Sequence, residues 1–572
     1  MKKFVLLPFF LVFSTLFSTE QDVAGFLNRI SAHLVISDYA SASQETEHAL
    51  KFFPSEKTVL AAQIKTFAHS GNEKGMWDAW NHYVNEFPEE SQSNQDLQEV
   101  MAWGIIWKAS YSPLPMIRLC SLLGAFFGND AKSIVLLKRF CKDKSIPIRN
   151  AAVQLSSEMR DAQLCDEILL LLKSENIRKV RLEVIKAAGK MKIRAAQPTL
   201  LAIVGNDQTS AEEKAAAIAS LFLLFETIER PEILALSKSD RAGLRLLACQ
   251  VVGHLRSSRD EDLMKILASD NNSEVRTAAM YSLGLLRAEA TQLARKRLND
   301  PYPEAAVTAA WLLTLNEPES ARETFMPLVR NPKRSIRLLA SAAIAATGKK
   351  GISLAQELFH SSHDPFFKMN LALGLIHQQT ETYAACLALQ EGLSANLGRW
   401  MWKEENSFRV LSPSDVKQDD SISNAPEAID QLVRLEILNI LAVMKYPGAE
   451  VALRGFLQQH KWGVTGLASA LLLMEGDDSS MDLVLGLLED QDPKIQMQAA
   501  LTVALWGGRE EAISLLQTNY STADRETKEK ILEGLGKVGS RSSIPFLLDK
   551  LQEQQQILRL IAASSLLQCL YH

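Results

Sequence analysis

Asp270-Asn-Asn-Ser-Glu-Val-Arg276-Thr-Ala-Ala-Met-Tyr-Ser-Leu-Gly284-Leu-Leu286 is the stretch from which the fold can be read. It opens on Asp and Asn, whose side chains cap helices, and continues with apolar residues three and four apart, the period of a helix with one buried face. Gly284 stands near its end, residues 289–298 read as a second amphipathic helix, and Asp300 restarts the cycle. Two helices and two short turns therefore fit into about 31 residues.

Working outward, the same signature of an aliphatic residue, a basic residue, two free positions and a small or apolar residue returns along most of the chain. Its best copies centre on Arg118, Arg149, Arg181, Arg245, Arg276, Arg337, Arg434 and Arg559. The registers run 118, 149, 181, 214, 245, 276, 307, 337 and 368, then 434, 465, 496, 528 and 559. Only Val307, Thr465 and Gln496 are not basic, so the period outlives the charge. Asp or Asn stands about six positions earlier in several copies, as at Asp143, Asp270, Asn331 and Asp490. A basic side chain so placed can bond loop carbonyls or the acid of the neighbouring repeat, which makes the row a structural ladder. The rival reading is a basic stripe for an acidic partner. Gly189, Gly253, Gly284 and Gly536, eight positions after the register, mark close helix approach or a helix end.

This pattern resembles HEAT-like repeats, and more closely the short form of about 31 residues found in phycobilisome-lyase-type repeat proteins. The resemblance covers residues 112–394 and 427–572. It implies an all-α fold, a right-handed α-solenoid of stacked helical hairpins, in which each pair buries its face only against its neighbours. Such arrays are scaffolds more often than enzymes; membership of a lyase-type enzyme assembly is the alternative that the relatives imply.

Residues 19–111 follow another period. Phe53-Pro54 and Phe87-Pro88 lie 34 residues apart, and the segment resembles tetratricopeptide repeats. It is acidic, with 13 Asp and Glu against 6 Lys and Arg between residues 20 and 110. Trp77 and Trp80 share one helix face there, as do Trp103 and Trp107; core packing and a peptide-binding groove are the two readings.

Before this, Lys2 and Lys3 precede an apolar run from Phe4 to Phe13. Residues 1–18 have the layout of a secretory signal peptide, which predicts an exported protein, periplasmic or secreted. No later stretch has 18 uninterrupted apolar residues, so no membrane span is expected in the mature protein. A net charge of −5 provides no overall basic field for nucleic acid.

Residues 395–426 interrupt the period with two prolines and a polar run, and read as an irregular insertion. Trp400, Trp402 and Arg409 within it are candidate partner-binding residues. His360-Ser-Ser-His363-Asp364 is the one tight His/acid cluster, but it lies at a turn between repeats and lacks further ligands at zinc spacing. No catalytic residues, metal or cofactor are expected. The six cysteines read as thiols, with Cys120 and Cys141 the nearest pair to test. The last register leaves room for one helix, apolar around much of its circumference, which points to a second copy of the chain or a docked partner there. The expectation is an exported, non-catalytic scaffold or adaptor for proteins or peptides; a structural cell-envelope component is a further alternative.

Overall fold

The computed structural model describes residues 23–225, 230–394, 400–403, 410–413, 437–459 and 478–571. Its first six helices are α1 (Val23–Val35), α2 (Tyr39–Phe52), α3 (Lys57–Ser70), α4 (Glu73–Glu86), α5 (Pro88–Ser93) and α6 (Gln95–Ser110). The array follows as a first and a second helix in each repeat. The pairs are α7 (Pro115–Gly128) and α8 (Ala131–Phe140), α9 (Ile146–Met159) and α10 (Ala162–Ser174), and α11 (Arg178–Lys190) and α12 (Gln197–Gly205). Next come α13 (Ala211–Leu224) and α14 (Arg230–Ser237), α15 (Ala242–Leu255) and α16 (Glu261–Leu267), and α17 (Ser273–Leu285) and α18 (Thr291–Arg297). Then follow α19 (Pro303–Asn316) and α20 (Ala321–Val329), α21 (Arg334–Ala346) and α22 (Ile352–Ser361), and α23 (Pro365–His377) and α24 (Thr382–Ser394). Later repeats include the helices Pro493–Thr502, Arg525–Val538 and Gln556–Tyr571.

Each described basic register residue is the fourth residue of its first helix, from Arg118 on α7 to Arg559 on Gln556–Tyr571. Arg434 lies outside the described residues. The chain divides into two compact units, residues 129–523 and a discontinuous unit of residues 1–128 with 524–572. Helices α6 and α7, on either side of the expected boundary at 111/112, pack together in the second of these.

In the unit 129–523, each first helix from α9 to α23 packs on the next first helix. This layer is close-packed: on α19 every residue from Ala305 to Thr314 is buried. Second helices instead brace the first helix of their own repeat or the next, as α12 does α13 and α14 does α15. The expected irregular insertion contains a departure from all-helical structure. Strands β1 (Trp400–Lys403) and β2 (Val410–Pro413) pair antiparallel, with Trp400 opposite Pro413 and Trp402 opposite Leu411. Strand β2 lies against α21 and α23.

In the discontinuous unit the 34-residue period is visible in the backbone. Asp38 and Asn72 cap α2 and α4, each accepting from the amide three residues on. Phe53 and Phe87 end the same helices at φ −132°, ψ 64° and φ −134°, ψ 64°. Proline follows each, and it restricts the residue before it to non-helical angles. The helix Gln556–Tyr571 packs between Arg525–Val538 and α7 and also meets α6. The last first helix of the array is thus covered by the first one. Leu558, Leu560, Leu566, Leu567 and Cys569 are all buried there, so the apolar circumference that raised the expectation of a second copy is satisfied within the chain.

Candidate partner-binding surface

The register residues form the frame on which the surface is built. Arg276 sends Nη1 back to the carbonyls of Asp270 and Asn271, at 2.9 and 3.1 Å, closing its own loop. Its Nε and Nη2 reach forward to both carboxylate oxygens of Asp300 in the next repeat, at 2.8 and 2.7 Å. Arg245 does the same with Ser239 behind and Asp270 ahead. Arg149 and Arg181 reach Glu175 and Glu213 instead. Arg118 and Arg337 donate to their own loop carbonyls. Gln496 donates to the Leu488 carbonyl at 2.8 Å, a neutral amide serving the same loop. The acids do not cap their own helices directly. Asp143, Asp270, Asp300 and Asp490 each accept from the amide two residues on, folding the loop into the helix start.

The ladder's electrostatics follow from this geometry. The Arg245 hydrogen bonds hold the Asp270 carboxyl below the ordinary carboxylate range. Burial pulls Asp300 upward, and the Arg276 hydrogen bonds with the Tyr302 amide more than offset it. At the last repeat Arg559 donates to the Glu553 and Gln554 carbonyls, and Glu73 of α4 takes the place of a following acid, 3.3 Å from Nε.

Glycine and serine set the spacing between first helices. A Cβ on Gly189 would stand 2.5 Å from the Ser220 Cα, and one on Gly536 2.7 Å from the Ser565 Cα. Ser220 donates to the Ile185 carbonyl across the first of these junctions, and Ser282 to the Cys249 carbonyl across the junction of α15 with α17, each at 2.7 Å. Gly253 lets Ser282 approach closely, since a Cβ there would stand 2.6 Å from the Ser282 Oγ, and the surface opens beside this junction.

The opening is a cleft of about 160 Å³ lined by Phe222, Gln250, Gly253, His254, Ala278, Tyr281, Ser282 and Leu285. Its floor is small residues and its rim is aromatic. Phe222 and His254 meet edge to face at 5.0 Å, and Tyr281 stacks on Trp311 at 5.2 Å. Trp311 is anchored through its indole N–H to the Ala346 carbonyl at 3.2 Å. Small-molecule pockets begin near 300 Å³, so this cleft has the size for one large apolar side chain.

The residues singled out from sequence fall elsewhere. Trp80 is buried, stacked on the fully buried Tyr83 at 6.0 Å, so it is core rather than groove; Trp77 is half-buried beside it. Trp103 is also core, and donates to the Tyr571 hydroxyl at 3.2 Å. Trp400 and Trp402 stand two apart on β1, and Arg409 lies outside the described residues. Asp364 is taken up by Arg334, through two bonds of 2.8 and 2.9 Å, and caps α23. His360 faces Glu381 at 2.7 Å. All six cysteines are free, Cys120 and Cys141 included, and burial pushes Cys141 and Cys569 up to about 12. Of the cleft residues only Gly253 stood out in the sequence; the rim residues Phe222, His254 and Tyr281 escaped it because they stand at different offsets from their registers and form no repeat.

Residues 480–567 match the family model for HEAT repeats. The stacked helical pairs before them have the same HEAT-like build. No curated protein matches the chain's sequence. Among solved structures this HEAT-like chain is similar to the Kap95:Nup1 complex, at 12% identity over 96% of this chain and 82% of that one, with TM-score 0.34. It is also similar to the karyopherin Kap121p bound to the extreme C-terminus of the protein phosphatase Cdc14p, at 12% identity over 94% and 69% of the two chains, with TM-score 0.36.

Proposed function

We propose that the protein is an exported, non-catalytic adaptor that grips an extended segment of a partner protein on its first-helix layer. The cleft between α13, α15 and α17 carries this reading: a small-residue floor and an aromatic rim suit an inserted apolar side chain. Supporting it, the cysteines are thiols raised by burial, and Asp364 is committed to an ion pair, which leaves no activated nucleophile or acid in these two places. Export rests on Lys2, Lys3 and the apolar run that follows them. Final placement in periplasm or medium is part of the same proposal.

Filling the cleft tests the reading. Gln250→Trp places a ring in the opening from a half-buried position. Crosslinking in the native cell should then lose the partner while the melting temperature of the purified variant stays within a few degrees. A filled cleft with unchanged crosslinked partners would refute the reading. Mass determination of the N-terminus in a cell fractionation tests export: an uncleaved chain in the cytoplasm would overturn it.

A further inference from the structure

A second basic row, distinct from the ladder, follows the first helices. Arg160, Lys192, Arg256 and Arg287 stand just past the ends of α9, α11, α15 and α17. All four adopt the left-handed conformation, with φ of 53°, 55°, 50° and 57°. The equivalent position after α21 is Gly348, the residue which that conformation favours. All four side chains are exposed. Those of Arg160, Arg256 and Arg287 hold no hydrogen bond or ion pair among the described residues.

A helix C-terminus attracts a cation, but a Lys or Arg one turn earlier would serve the dipole without left-handed strain. A strained, exposed and unpaired cation recurring at one register is a feature that stability alone does not ask for. The helices α9, α11, α13, α15 and α17 stack in that order, so the row runs along one edge of the layer. That edge borders the cleft: Arg256 lies two residues past His254, and Arg287 two past Leu285.

We propose that this edge receives carboxylates of the same partner segment, so that the adaptor selects an extended acidic peptide carrying one large apolar side chain. The proposal rests on the cleft reading above. Neighbouring helices in a layer lie about 10 Å apart, and an extended chain in the polyproline II form has three residues per turn and rises about 3.1 Å per residue. Acidic residues three apart therefore share a face and meet Arg160 with Lys192, or Arg256 with Arg287, while the apolar side chain enters the cleft; α13, between the two pairs, carries Phe225 at this position. The chain's net charge of −5 makes this edge a local exception that an acidic ligand would find.

Fluorescence anisotropy with the mature chain tests it, using three labelled peptides. One has a central Phe with Asp at every third position, one has Lys in place of Asp, and one has Ala in place of Phe. The Asp/Phe peptide should bind about tenfold tighter than the Lys form, with the difference fading as NaCl rises to about 0.5 M. In Arg256→Gly/Arg287→Gly the preference should vanish, while thermal melting is unchanged or higher because Gly suits the left-handed position. Equal affinity for Asp and Lys peptides, or a preference that survives the Gly pair, overturns the charge proposal alone. Equal affinity for the Phe and Ala peptides overturns the cleft reading, and no binding at about 1 mM overturns both.

Discussion

Arg276 and Asp300 meet through two hydrogen bonds of 2.8 and 2.7 Å, so that one repeat's cation closes on the acid that shapes the next repeat's loop. Asp300 is 0% exposed in its side chain and Arg276 10%, which makes this an internal strut rather than a surface pair. Removing one partner strands the other in a place water does not reach. Arg276→Ala should therefore cost about 3–5 kcal/mol, whereas Arg334→Ala, whose pair with Asp364 is more exposed, should cost about 1 kcal/mol or less. Denaturant melts of the two variants compare them directly. Equal small losses would mean that the ladder is decorative.

Acid should weaken the ladder in a defined direction. Asp270 and Asp300 are both held below their ordinary value of 3.8 in the folded chain. A depressed folded value contributes stability in full above the unfolded value, and that stability is lost as pH falls through the folded one. Urea midpoints should stay level from pH 7 to about 5 on this account and fall below about 4. In Asp270→Asn the fall below pH 4 should be shallower. An equally steep fall would assign the acid sensitivity elsewhere.

The architecture was legible because stacking demands similar units, and most of them carry a basic residue at the same place, as Arg276 does to close its loop. Arg276 and Gly284 therefore announce themselves, and Phe53-Pro54 and Phe87-Pro88 announce the other period by their shared backbone stop. The cleft was not legible. Phe222, His254 and Tyr281 come from three helices at three different offsets, and only packing brings them to one opening beside Gly253. The C-terminal helix was half legible. Its apolar circumference is in the sequence, but its cover lies 468 residues away at Trp103, beyond any local pattern.

Glycines at the helix junctions should be unequal in their tolerance. A Cβ on Gly284 would run into the ring of Trp311, which is held from behind by its bond to Ala346. Gly284→Ala should destabilise by about 1–3 kcal/mol through overpacking. Gly205, at the end of α12, has nothing within 4 Å of such a Cβ, and its alanine variant should be neutral or slightly stabilising. Calorimetric melts of both would contradict the packing account if they moved together.

Closure of the array's ends by one helix predicts a long-range effect. Without residues 556–572, Trp103 should lose its Tyr571 partner, and Gly124 and Gly128 their neighbours Ser564 and Leu567. Amide exchange in α6 and α7 should then quicken by an order of magnitude or more, although both are over 400 residues away in sequence. Unchanged protection in α6 and α7 would show that those helices stand without it.

On the reading proposed above, the partner segment sits in the cleft on the first-helix layer. The most direct test of that reading is a photo-crosslinking amino acid placed at His254, on the cleft rim, and separately at Ile266, 68% exposed on the second helix α16. Illumination in the native cell should give a discrete crosslinked protein from position 254 that is absent from position 266, with the crosslinked partner peptide carrying acidic residues beside an apolar one. The same product from both positions, or none from 254, would contradict the claim.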